Sequence, residues 1–360
     1  MNATKALTSL ALLTIPTVGF MARGDSVSFK PEEGTTVEKT LSIESSFYMD
    51  DLSIVFDGGE VSPDMMGGSM DEALIVNVTL GVTDEYLSSR TGAIGSLLRT
   101  YDEMAFEAGG ESSAETQDAF NTMEGLTVKF VWDAEGEDFV KSFHESEGED
   151  EWLENLDPDM DLLQLLPSDE VSVGDSWEAR GEGLLTVFSP GGMLASGSEQ
   201  ETNPEAEELV ELAKEQMGSQ LESMLEEFAI KCTYTGTQTE GDKELGAIEI
   251  EFSGDAEIDL SELILSAIEL NAERMGGVEA DLSAVVSLEL EGTGLLLWDM
   301  KAGHIHSFSM KYEIIAGMDL EGDVDAMGEN HTFEVAVEVS GEVDMSLETG
   351  GDEEDEGDDE

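Results

Sequence analysis

Apolar and polar residues alternate strictly through most of this chain. From Phe333 the odd positions read Phe333, Val335, Val337, Val339, Gly341, Val343, Met345 and Leu347. Between them fall Glu334, Ala336, Glu338, Ser340, Glu342, Asp344 and Ser346. A period of two predicts an antiparallel strand with one dry face and one acidic, wet face. At about 3.4 Å per residue such a run spans roughly 50 Å, well beyond the common strand length. A strand that long must bend or coil, and Gly341 is the expected place for a bulge or bend.

The pattern recurs. Leu74, Val76, Val78, Leu80 and Val82 form a second dry face, and Leu126, Val128, Phe130 and Trp132 a third. The third closes through an acidic turn, Asp133 to Glu137, into Phe139 to Phe143. Ile248, Ile250, Phe252, Ala256, Ile258 and Leu260 alternate with Glu249, Glu251, Ser253, Asp255, Glu257 and Asp259. Ala284 to Leu290, Leu295 to Trp298 and His304 to Ile315 read as a three-strand meander. Gly292-Thr293-Gly294 and Lys301-Ala302-Gly303 are its expected turns.

Helical spacing is rarer. Asn203 caps and Pro204 opens a stripe of Leu209, Leu212, Ala213, Met217, Leu221, Met224, Leu225 and Phe228. A second helix starts at Asp259, with Glu262 three residues on, and stops at Gly276-Gly277. Ile94 to Ala108, and Glu149 to Leu166 interrupted by Pro158, also read as helical. The expected fold class is α+β and β-dominated: long curved antiparallel sheets with a few amphipathic helices packed on the apolar face.

Composition divides the chain. Residues 1–24 read as a signal peptide: Lys5, an apolar run from Ala6 to Phe20, then Ala22-Arg23-Gly24 before Asp25. The competing reading is an uncleaved anchor, but the run is short for a span and Pro16 interrupts it. Residues 25–188 read as a β-rich half with short helices, 189–203 as a linker or loop, and 204–348 as a second β-rich half with two helices. The Gly/Asp/Glu tail at 349–360 is expected to be disordered. Export to the periplasm or beyond the cell follows, with no transmembrane span left after cleavage.

Charge then narrows the partners. Of the 360 residues 84 are acidic and 15 basic, a formal net charge of −69. So negative a surface repels phosphate backbones and anionic headgroups, which excludes nucleic acid and polybasic membrane docking. The acids fill the wet phase of strand after strand, a pattern suited to a salty medium that screens their repulsion. The single cysteine, Cys232, can form neither an internal disulfide nor a multi-thiolate zinc site. It falls in the apolar phase with Phe228, Ile230 and Tyr234 and reads as a small buried hydrophobe.

Candidate chemistry is sparse. Gly174-Asp175-Ser176 matches a hydrolase triplet, yet no Asp stands three residues before any of the four histidines. It reads instead as a turn entering a strand with Trp177 packed inside. Asp323, Asp325, Gly328 and Glu334 occupy positions 1, 3, 6 and 12 of a calcium-loop register, but Met327 and Asn330 break the pattern. A hairpin turn accounts for them better. Asp157, Asp159 and Asp161 form a second acidic cluster, of the kind that chance supplies in so acidic a chain. His304 and His306, two apart on a strand, share a face and could chelate a metal or supply a base. Their phase continues as Phe308, Met310, Tyr312 and Ile314, so both imidazoles are expected at the rim of the dry side.

Two stretches carry a resemblance. Leu166-Pro167 to Trp177, with its Val171-Ser172-Val173-Gly174-Asp175-Ser176-Trp177 core, and Gly292 to Phe308 resemble recurring elements of uncharacterised exported bacterial proteins. Together they cover under a tenth of the chain, and they bring no functional residue with them. The expected architecture is also similar to that of periplasmic lipoprotein carriers, where a curved sheet encloses an apolar cavity. The length of the dry faces, against only two well-signalled helices to cover them, points to a non-enzymatic exported protein that binds an apolar small molecule or lipid, or an envelope partner, with no cofactor expected. The alternatives are a structural envelope protein and a metal-dependent hydrolase built on His304 and His306.

Overall fold

A computed structural model describes residues 24–61, 73–109, 121–181, 184–192, 228–271, 279–326 and 329–350. The expected signal segment, most of the Asn203–Phe228 stripe, the end of the second helix and the acidic tail lie outside the described residues.

Alternation delivers what it predicted. Twelve strands of the described residues form one antiparallel, curved sheet: β1 (Thr35–Phe56), β2 (Gly59–Glu60), β3 (Leu74–Arg90), β4 (Ala93–Ala108), β5 (Thr127–Asp133), β6 (Asp138–Phe143), β7 (Ser176–Arg180), β8 (Ala229–Glu240), β9 (Lys243–Asp259), β10 (Glu279–Asp299), β11 (His304–Ala326) and β12 (Glu329–Thr349). The order is β6-β5-β4-β3-β1-β12-β11-β10-β9-β8-β7, with β2 beside β1. Each flank is thus a meander, and the two meet where the first long strand pairs with the last. That pairing runs from Lys39 opposite Thr349 to Phe56 opposite Phe333.

Several expectations need correction. Gly292-Thr293-Gly294 is not a turn, since β10 runs straight through it. A Cβ on Gly292 would stand 2.5 Å from both the Phe252 ring and the Tyr312 Cβ, so the glycine makes room for cross-strand neighbours. Gly341 makes no bulge either: it stays in register with Phe47 and Ile314, and a Cβ there would meet the Phe47 ring at 2.4 Å. The bulge falls on the partner strand, between Met49 and Asp51. Ile94 to Ala108 is strand β4, not a helix. Its register shifts near Gly95 and Asp102 space the buried residues 94, 97, 99, 101 and 104, which imitates a helical stripe. Glu149 to Leu166 holds only two short 3-10 turns, Asp150–Leu153 and Leu163–Leu165.

Among the described residues the regular helices are α1 (Leu184–Phe188) and α2 (Ser261–Asn271). Asp259 opens α2 as expected, its Oδ1 accepting the Ser261 N–H at 2.9 Å. The expected turn at Lys301 to Gly303 is present, with Asp299 Oδ1 accepting the N–H groups of Lys301 and Ala302.

The core lies against one end of the dry face, called here the near end. It holds the start of β1, the end of β12, and parts of β3, β4, β5, β8, β9, β10 and β11. Residues 24–33 and the insert at 144–175, which precedes β7, pack against it and, with Leu184–Phe188, bury Val27, Phe29, Met160, Leu162, Leu165 and Leu184. The far end comprises the β1–β2 turn, the β11–β12 hairpin and the strand halves leading to them.

Candidate functional site

The near end is organised around charge. Lys39 stands in the dry phase of β1 between Val37 and Leu41, and Asp84 and Tyr86 continue the dry phase of β3. Arg99 does the same on β4 between Leu97 and Tyr101. All four side chains are buried, and the insert adds a fifth, Asp161. Lys39 Nζ donates to Asp84 at 3.0 Å, to the Tyr86 hydroxyl at 2.8 Å and to Asp161 at 3.0 Å. Arg99 clasps both oxygens of Asp84, at 2.7 and 2.9 Å, and donates to the carbonyls of Asp157 and Pro158. Asp161 also accepts the Tyr86 hydroxyl at 2.6 Å and the Ile305 N–H at 3.1 Å.

Two cations and two carboxylates therefore cancel inside a dry core, with nearly every donor used. Burial works against the ionised Asp84, but the Arg99 and Lys39 charges outweigh it and hold the carboxyl below its ordinary range. Burial and the Asp161 and Asp84 charges push the Tyr86 phenol well up, so it stays a neutral donor. The cluster pins the insert to β1, β3, β4 and β11. Sequence reading missed it, although charged residues in a dry phase were the available signal.

Beyond this cluster the dry face continues as an apolar surface, called here the trough, on which several side chains of β1 and β3 are exposed while Ala284 of β10 stays buried. Met49, Leu52, Ile54 and Phe56 of β1 sit opposite Val339, Val337, Val335 and Phe333 of β12. Leu74 of β3 faces Phe47. On the other side Ile314, Met318 and Leu320 of β11 pair with Leu290, Val286 and Ala284 of β10. Met49 is 39% exposed, Leu74 47% and Phe56 49%. Where trough meets core, the rings of Phe188, Phe228, Phe252 and Tyr312 pack at 5.5–6.0 Å.

The expected site residues do not converge. A register shift between Leu297 and Trp298 leaves His306 unpaired and turns Ile305 to the core, so the imidazoles are not on the expected dry side. His304 Nδ1 lies 2.7 Å from the Ile305 carbonyl, and His306 Nε2 3.5 Å from Glu240. Asp323 and Asp325 pair with Thr332 and Asn330 along the β11–β12 hairpin, and Glu334 pairs with Glu321, so they do not encircle an ion. Among the described residues no group of three or more His, Cys, Asp or Glu side chains could hold a metal ion. Ser176 bonds Thr233 at 2.9 Å, and Asp175 accepts the Ser172 N–H within its turn. Trp177 packs against the core and donates to the Leu165 carbonyl at 3.1 Å. Cys232 is fully buried, which pushes its thiol up to about 12.

The wet face carries a hollow of about 660 Å³ lined by Glu44, Glu291, Glu313, Glu342 and Asp344 around Lys311. Lys311 pairs with Asp344. Among the described residues no helix is long and apolar enough to cross a membrane.

No family model and no curated protein matches the chain. Among solved structures, a chain described by the words "Asymmetric conductivity of engineered proteins" aligns at 10% identity and a TM-score of 0.16. A mutant of the Rh. blastica porin aligns at 8% identity and a TM-score of 0.17. Each alignment covers 86% of this chain and all of the other. Likeness at that level carries no argument.

Proposed function

We propose that this is an exported, non-enzymatic protein, periplasmic or extracellular, that holds an apolar ligand of lipid class in the trough at the far end of its sheet. One contrast carries the reading. Along a single dry face, Leu41, Met345 and Leu347 are at most 4% exposed, whereas Met49, Leu74 and Phe56 are 39–49% exposed. Exposed apolar side chains gathered on one surface favour a partner that removes them from water. Fully burying a Leu, Met or Phe is worth about 1.5–3 kcal/mol, so a few such residues supply useful affinity. The amphipathic helices of the chain, in this reading, lie on the same apolar face and flank the ligand. The lysine-poor, acidic wet face keeps the carrier dispersed in a salty medium.

Native mass spectrometry of the purified protein, followed by organic extraction, tests the proposal. The expected result is a co-purified lipid, or binding of a hydrophobic dye at low micromolar concentration. Absence of both removes the carrier reading and leaves a structural envelope role.

A further inference from the structure

Positive charge is confined to one part of the dry face. At the near end Lys39 and Arg99 stand inside the core beside Asp84 and Asp161. The segments that build the far end, residues 47–61, 74–80, 254–259, 279–291, 314–326 and 329–341, contain no lysine or arginine, and neither does α2. Their wet phase is acidic instead, with Asp51, Glu257, Glu289, Glu321, Glu334 and Glu338 exposed. The adjoining sequence keeps that sign: residues 62–72 add Asp64, Asp71 and Glu72, and residues 272–278 add Glu273 against Arg274.

The cations that border this region are already matched. Lys311, further along β11, pairs with Asp344. His331, in the β11–β12 hairpin, holds Nδ1 2.9 Å from the Asp57 carboxylate and stacks its ring on Phe56 at 5.4 Å. A proton on His331 therefore balances Asp57.

The trough thus offers a lipid an apolar surface inside a negative field. Nine residue steps from Phe47 to Phe56 give it a length of about 30 Å. The rings of Phe188, Phe228, Phe252 and Tyr312 stand where it meets the core. A chain laid along it keeps its tail against those rings and its head at the hairpins, where Asp57, Glu60 and Asp325 are exposed. A phosphate, sulfonate or carboxylate head would meet these carboxylates, with no lysine or arginine among the described far-end residues to receive it. An uncharged head is indifferent to the field.

We propose that the ligand of the trough is a long-chain lipid with an uncharged polar end, and that lipids with anionic heads are refused. The inference rests on the carrier reading and adds to it the charge that the site excludes. The refusal is electrostatic. Each exposed carboxylate acts weakly, and their sum counts while the screening length, about 10 Å at 0.1 M salt, matches their distance from the ligand.

Displacement of an uncharged hydrophobic dye from the purified full-length protein tests the proposal. The competitors are hexadecanol and hexadecyl sulfonate, both below micelle formation, with folding checked by circular dichroism at each salt. In about 0.1 M NaCl hexadecanol should displace the dye at a concentration about tenfold lower than the sulfonate. In about 1 M NaCl, where the screening length is about 3 Å, the two should agree within about twofold. Sulfonate acting as well as or better than the alcohol at low salt overturns the inference and leaves the carrier reading standing. A preference that salt does not change also overturns it, because the field is then not the cause. Failure of both compounds to displace the dye overturns the carrier reading and the inference together. Should low salt unfold the chain, a Glu321→Lys, Glu334→Lys, Glu338→Lys variant is compared with the wild type at the lowest salt that keeps both folded. The preference should narrow in the variant, and an unchanged preference overturns the inference.

Discussion

The two ends of the dry face obey one alternation rule and reach different surroundings. At the near end, Leu41 and Leu347 lie under residues 24–33 and the insert, with a neutral ion cluster fixing the cover in place. At the far end, Met49, Phe56 and Leu74 keep the same phase on the same strands but stay substantially exposed. A period of two says which way a side chain points. It does not say what, if anything, lies on top of it.

The largest way to break this contrast is at the cluster. Lys39→Met leaves Asp161 and half of Asp84's compensation unmatched in a dry site. It should cost about 3–5 kcal/mol, read as a lower urea midpoint. A loss below about 1 kcal/mol would mean that the cluster does not hold the near end. Next, Leu347→Ala should cost about 2–5 kcal/mol through its cavity, while Phe56→Ala, already half in water, should cost much less. Equal losses in the same urea experiment would erase the distinction between the ends.

Acid sharpens the contrast further. Asp84 is held below its ordinary value of 3.8, so its contribution is present above that pH and lost as pH falls through the lowered value. The acid limb of unfolding should therefore survive Phe56→Ala unchanged and flatten in Asp84→Asn, measured between about pH 5 and 2. The smallest effect is global. With a net charge of −69, screening should raise the melting temperature from low salt to about 1 M NaCl. An unchanged or lower melting temperature would remove the salt-adapted reading.

Legibility in the sequence followed the range of the interactions. Strand β12 was readable because each of its residues meets the same two environments in turn, from Phe333 to Leu347. Strand β4 was not, because two register shifts and the buried Arg99 disguised its period. The Gly292-Thr293-Gly294 run looked like a turn because its cause, the crowding of Phe252 and Tyr312, lies on other strands. The ion cluster was lost for the same reason, since Asp161 meets Lys39 across 122 residues of chain. Asp157, Asp159 and Asp161 appeared as chance neighbours in an acidic sequence. What marked them was the rarity of their counter-ions: in a chain with only 15 basic residues, Lys39 and Arg99 are the buried ones among the described residues.

The central claim is that the far end, and not the near end, takes the ligand. Lipid co-purified with the wild type should be lost in a Met49→Ser, Phe56→Ser, Leu74→Ser variant whose melting temperature stays close to that of the wild type. Lipid retained by that folded variant, or absent from the wild type, would contradict the account.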